Sequence, residues 1–123
     1  MEIILDTSFI LTCIKEQVDF TQAEEFGRLL LPELVFDELK KLRGKSKGKE
    51  KEQAELALDI IENKREKFRI IKLEGNYADA GMVKYVEGRK DVIVATMDKE
   101  LKKVVQGKAR ILVIRARKKL ELV

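Results

Sequence analysis

The sequence predicts an α/β fold, a central, mostly parallel five-stranded sheet with helices on both faces. Two observations carry that prediction. Short apolar runs alternate with helix-period segments along the whole chain, and those runs lack the polar alternation of a sheet with one face in water. In order, the strands are Glu2–Leu5, Leu29–Leu31, Phe68–Leu73, Asp91–Ala95 and Arg110–Ile114, each bounded by polar or turn residues. The helices are Ser8–Lys15, a shorter one near Gln22–Phe26, then Leu34–Leu42, Lys49–Asn63, Tyr77–Glu87 and Lys99–Gln106. Leu34, Val35, Leu39 and Leu42 trace the core stripe of the third helix. Gly44, Ser46 and Gly48 interrupt the pattern that follows and predict a mobile basic loop. The 123 residues suit one domain over 1–123, with no repeat or linker.

Composition removes whole classes of chemistry. With no histidine and a single cysteine, Cys13, there is no Ser-His or Cys-His nucleophile, no intramolecular disulfide and no ordinary zinc site. Cys13, flanked by Phe9–Ile14, reads as a buried thiol. No apolar run approaches the roughly 20 residues that cross a bilayer, and Met1–Asp6 does not resemble a basic signal peptide, so a soluble, cytoplasmic protein without membrane contact is expected. Charged residues make up 39% of the chain while Asn and Gln are few, the balance of a thermophile. The net charge is only +4, but seven basic residues fall between Lys40 and Lys51, among them Arg43, Lys45, Lys47 and Lys49. Arg110, Arg115, Arg117, Lys118 and Lys119 form a second cluster. Such stretches neutralise phosphates, or serve merely as solvated surface.

Four acids fall at or just past strand ends, where a parallel sheet forms its ligand crevice. Asp6 follows Ile3-Ile4-Leu5, and Asp98 follows Val92–Thr96 after one Met. Glu38 fills the i+4 gap in the Leu34–Leu42 stripe, which turns it inward, whereas Asp37 lies about 100° around the helix with Lys40 and Lys41 and reads as solvated. Asp79 stands three, four and seven residues before Met82, Val83 and Val86 on one face. Each acid alone has a plainer use: Asp6 and Asp98 as helix N-caps, Asp79 as a dipole partner in a first turn, Glu38 as half of an ion pair. Together they form an all-oxygen set. Neighbours ~4 Å apart repel by about 1 kcal/mol in water and several-fold more near a protein interior, and a divalent cation relieves that repulsion. Without His or Cys the set favours Mg²⁺ or Mn²⁺, which points to metal-assisted hydrolysis of a phosphodiester. Thr7, Ser8 and Thr96 place hydroxyls beside the acids, either to orient them or to start helices and fix turns. Phe9 and Phe36 read as core, and Tyr85 as a packing residue rather than a base-stacking one.

The segments Ile3-Ile4-Leu5-Asp6-Thr7-Ser8, Pro32–Leu39, Tyr77-Ala78-Asp79-Ala80 and Val94–Leu101 resemble, in order, those of the PIN-domain family. The likeness is greatest to small stand-alone archaeal proteins akin to ribosomal-RNA-processing PIN nucleases, and more distant to VapC-type toxins. It implies a three-layer α/β/α sandwich, an acidic metal pocket at the carboxyl edge, and endonucleolytic cleavage of RNA. Asp6, Glu38, Asp79 and Asp98 match the family's acidic ligands, Thr7 and Ser8 its small polar positions, and Thr96 the Thr of its Thr-x-Asp pattern. Where some members carry a further Asp, this chain has Glu100. The resemblance further implies a homodimer, and an antitoxin or a ribosome-assembly partner. Two other classes compete: a non-catalytic RNA- or ribosome-binding module that uses the basic loop, and a phosphoryl-accepting receiver. Receivers cluster acids directly after their first strand, which this chain does not.

Overall fold

The computed structural model describes residues 1–45, 47–115 and 118–123, with the backbone alone for Lys45. Its elements in chain order are β1 (Glu2–Leu5), α1 (Thr7–Lys15), β2 (Arg28–Pro32), α2 (Glu33–Lys45), α3 (Lys49–Asn63) and β3 (Phe68–Ile71). These are followed by α4 (Ala78–Val86), β4 (Val92–Ala95), α5 (Lys99–Val105), β5 (Arg110–Arg115) and β6 (Lys119–Leu122). The sheet runs β3-β2-β1-β4-β5-β6, parallel except for β6. The chain therefore starts in the middle of the sheet, builds outward to β3, and crosses back to build β4 and β5 on the other side. Right-handed crossovers then place α1, α2 and α3 on one face and α4 and α5 on the other. The packing agrees, since α1 lies against α2 and α3 while α4 lies against α5. Three layers result, and the crevice between the β1 and β4 ends falls at the point where the winding reverses.

The strands fold as their apolar runs predict, with Ile3, Ile4, Leu5 and Val94 completely buried. From α1, Phe9, Ile10 and Cys13 seal one face of the sheet; Met82 and Val86 from α4 do so on the other. Each such large apolar side chain contributes roughly 1.5–3 kcal/mol by leaving water. The Cys13 thiol is pushed up to about 12, by burial first and then by the negative charge of Asp19, so it is the inert thiol its neighbours suggested.

Three local expectations are corrected. The sheet has a sixth strand: Leu120 and Leu122 of β6 pair with Ile114 and Leu112, which closes the edge beyond β5. The segment near Gln22–Phe26 is a 3-10 helix, Phe20–Phe26, tied down where Asp19 accepts bonds from the Thr21 amide and hydroxyl and from Lys64 at 2.7 Å. Gly44 does not end α2 but lies inside it, because packing on α3 outweighs the helix cost of about 1 kcal/mol that glycine carries. The basic stretch is therefore the tip of a helical hairpin, with Gly48 at φ 73° turning the chain into α3. Ser46 and Arg117 lie outside the described residues. Arg110 and Arg115, read as one cluster, sit at opposite ends of β5, roughly 16 Å apart at the strand rise. Among the described residues no helix is long and apolar enough to cross a membrane.

Candidate active site

All four predicted acids line one cleft of about 570 Å³ at the carboxyl edge of the sheet. Asp6 enters it from the end of β1, Asp98 from the turn after β4, Glu38 from α2 on one face, and Asp79 from the first turn of α4 on the other. Reversal of the winding brings these elements together, so residues distant in sequence meet across the crevice.

Asp6 is the hub. Its side chain is only 4% exposed, and its Oδ2 accepts hydrogen bonds from Ser8 Oγ at 2.6 Å and Thr96 Oγ1 at 2.7 Å. The two hydroxyls also lie 3.1 Å from each other, and each accepts from the backbone: Ser8 Oγ from the Met97 amide at 3.0 Å, Thr96 Oγ1 from the Asp98 amide at 3.1 Å. Hydroxyls held this way cannot turn away, so they fix the carboxylate's rotamer. Asp6 occupies the N-cap position of α1 yet makes no cap bond with its side chain, so the helix start does not use the carboxylate. No lysine or arginine pairs with it among the described residues.

Asp98 has both uses. Its Oδ1 caps α5, accepting from the Glu100 amide at 2.8 Å and the Leu101 amide at 3.3 Å, while the same side chain borders the cleft. Glu100 follows in the first turn of α5, exposed and outside the cleft lining. Glu38 forms no ion pair among the described residues; its Oε2 accepts from Thr7 Oγ1 at 2.9 Å, which ties the start of α1 to α2.

Glu38 and Asp79 do not point into the core. Both are exposed to the cleft, because their helical stripes run past the end of the sheet, where no strand remains to cover them. The protein wall still removes part of their water, and this is the largest influence raising both carboxyls above the ordinary range. For Glu38 the Thr7 hydrogen bond and Lys41 oppose the rise while Asp6 and Asp79 add to it; for Asp79, Asp6 and Asp98 add to it. The acids therefore feel one another across the cleft.

The sign of the pH effect follows. Between the ordinary carboxylate range and the raised values, the native state holds more protons than the unfolded one, so stability falls as pH rises through that window and is level above it. Glu38→Gln and Asp79→Asn, measured in chelator, are each expected to raise Tm at pH 7 by about 1–3 °C, small because water screens exposed charges. Below the window the gain should vanish. Thermal melts at pH 3.5 and pH 7 check this, and a loss of stability at pH 7 would refute it.

Lys41, Asn76 and Tyr77 also line the cleft, and the sequence had marked none of them as a site residue. Lys41, read from the sequence only as a neighbour of solvated Asp37, stands three residues beyond Glu38 and borders the cleft. Arg43, Lys47 and Lys49 are exposed at the hairpin tip, Arg43 about 7.5 Å beyond Glu38 along the α2 axis; the Lys45 side chain lies outside the described residues. Tyr85 is a packing residue as expected, donating to Glu2 Oε1 at 2.8 Å with Arg89 4.0 Å over its ring.

The donor set suits a hard divalent cation, being all oxygen, with Asp6 fixed and Glu38 and Asp79 open to the cleft. Among the described residues, no three acids already converge as a finished cage. A cation would have to gather them, and Glu38 and Asp79 are the ones exposed to the cleft.

The PIN like domain family model matches residues 3–119. The chain is 33% identical to Ribonuclease VapC4 of Methanocaldococcus jannaschii over 129 residues, covering 98% of this chain and 95% of that protein. The fold is similar to the solved structure of the PIN domain endonuclease Utp24, with a TM-score of 0.78 and 26% sequence identity over 98% of this chain and 90% of that one.

Proposed function

Because the chain belongs to the PIN like domain family, we propose that it is a metal-dependent endoribonuclease whose ligands are Asp6, Glu38, Asp79 and Asp98. The observation that carries this reading is Asp6: a buried carboxylate with no basic partner among the described residues, clamped by two hydroxyls beside three further acids. Burying an uncompensated charge is costly, so the arrangement is suited to a bound cation. Mg²⁺ or Mn²⁺ held there would supply Lewis-acid and water-activating chemistry for phosphodiester hydrolysis.

The chain's own residues do the rest. Ser8 and Thr96 keep Asp6 in one rotamer, and Thr7 holds Glu38 toward the cleft. Arg43, Lys45, Lys47 and Lys49 neutralise backbone phosphates of the RNA as it leaves the cleft along the hairpin. The similarity to a ribonuclease and to a PIN domain endonuclease supports cleavage of RNA; a toxin-like ribonuclease held by an antitoxin and an RNA-processing nuclease with a ribosome-assembly partner would both use this chemistry.

One observation favours a second reading, a non-catalytic RNA-binding module: the acids are not preassembled around one point. The two separate in a single experiment. Purified protein is incubated with a structured and a single-stranded RNA, in Mn²⁺, Mg²⁺ or chelator, beside an Asp6→Asn/Asp98→Asn variant that controls for contaminating nuclease. Metal-dependent cleavage absent from the folded variant is the expected result. RNA bound equally by both proteins and cut by neither would establish the binding module instead.

A further inference from the structure

A second recess of about 340 Å³ adjoins the acidic cleft, and the two share Glu38, Lys41 and Asn76. Besides the acids, which include Asp37 in the second recess, the lining offers side chains of other chemistry. Tyr77 lines the cleft with 77% of its surface exposed, the most exposed large hydrophobic residue described. It stands at the extended N-cap position of α4, two residues before Asp79, so its placement is coupled to that of a proposed ligand. A ring so open adds nothing to the core. Asn76, beside it, is exposed, with an amide that carries donors and acceptors.

Lys41 borders both recesses. Lys41 takes part in none of the ion pairs among the described residues, although its charge is felt by Glu38 three residues earlier. Its neighbour Lys40 is otherwise engaged, 4.1 Å over the Phe36 ring. An exposed aromatic face, an amide and a cation thus line the same cleft as the acids.

Those groups match the three parts of a nucleotide. An aromatic side chain stacks on an unpaired base, an amide pairs with a base edge, and an ammonium neutralises a phosphate. We infer that Tyr77, Asn76 and Lys41 form a nucleotide subsite that seats the residue flanking the cleaved bond, with Tyr77 stacking on its base and Lys41 on its phosphate. The inference rests on the ribonuclease reading above and assigns the positioning of the substrate to residues other than the acids. A base engaged by Tyr77 must be unstacked, so the nucleotide beside the cut is unpaired.

Binding and turnover test it separately. The Asp6→Asn protein is titrated with single-stranded oligoribonucleotides carrying 2-aminopurine at successive positions, and the same series is made with Tyr77→Ala, Tyr77→Phe and Lys41→Ala added. Stacking on Tyr77 should quench one position only, with Tyr77→Phe retaining the quench and Tyr77→Ala losing it. In the otherwise native enzyme, Tyr77→Ala should raise KM about tenfold with a smaller effect on kcat, and Tyr77→Phe should restore it. Lys41→Ala should weaken binding at all sequences and flatten its salt dependence. RNA cleaved by the native protein with unchanged KM and quench in Tyr77→Ala would overturn the subsite while leaving the nuclease standing. RNA neither bound nor cut by the native protein would overturn both.

Discussion

Asp6→Asn is expected to lower the cleavage rate about a thousandfold while leaving the fold intact, the outcome when a group worth several kcal/mol to the transition state is lost. The substitution is isosteric. An asparagine can keep its oxygen toward Ser8 and Thr96, whose hydroxyls now donate to Oδ2 at 2.6 and 2.7 Å, and turn its amide toward the cleft. What disappears is the negative charge at the one acid that is both buried and rigid. Glu38 and Asp79 are exposed, with water to screen them; Asp6 is buried and fixed by two hydroxyls. A second readout separates loss of cation binding from loss of folding. Mn²⁺ at ten times its Kd should stabilise the native protein by about 1.4 kcal/mol and raise its Tm, and should leave Asp6→Asn unmoved. A variant that melts like the native protein, still responds to Mn²⁺ and still cleaves would remove Asp6 from the site.

That Asp6 and Asp98 border the cleft was readable from the sequence because a parallel sheet puts every strand's carboxyl end on one edge, and both acids follow unbroken apolar runs. Glu38 and Asp79 were found by periodicity, which locates a helix face but not where that face ends. Both faces run off the sheet into the cleft, so the side chains are solvated where the helical wheel has them inward. Lys41 shows the same limit. It lies about 60° from Glu38 and about 40° from Asp37 around the helix, so angle alone could not assign it to the cleft or to the solvent. Asn76 and Tyr77 carry no periodic signal, since they precede α4 on the crossover from β3 and meet the acids only because that crossover reaches over the sheet edge. The fourth and fifth strands were legible as apolar runs, whereas Lys119–Leu122 is a half-charged edge strand whose pairing with β5 depends on a turn. Between Asp98 as helix cap and Asp98 as cleft residue no choice was needed, because one oxygen caps α5 and the carboxylate still borders the cleft.

Two glycine-to-alanine changes in helices are expected to act with opposite signs, and the difference bears on the site. In a helix interior, alanine is favoured over glycine by about 1 kcal/mol. Gly44 in α2 has no atom within 4 Å of where a Cβ would stand, so Gly44→Ala should gain most of that and raise Tm by about 3 °C. At Gly81 in α4 the added Cβ would stand 2.7 Å from Leu73 Cβ, 3.1 Å from the Glu74 carbonyl oxygen and 3.2 Å from Leu73 Cδ1. Leu73 Cβ sits next to the backbone and cannot swing aside, so α4 itself must move away by about 1 Å to reach ordinary contact. Overpacking of this kind costs about 1–3 kcal/mol, which exceeds the propensity gain, and Gly81→Ala should melt several degrees lower. The displacement also reaches the cleft, because Asp79 is two residues earlier in the same turn and Tyr77 caps the helix. A misplacement of about 1 Å at a reacting geometry can cost ~100-fold in rate, so Gly81→Ala should lose activity at temperatures where it is fully folded. Equal stability of Gly81→Ala and the native protein would mean that α4 has room to settle, and its activity should then be unchanged as well.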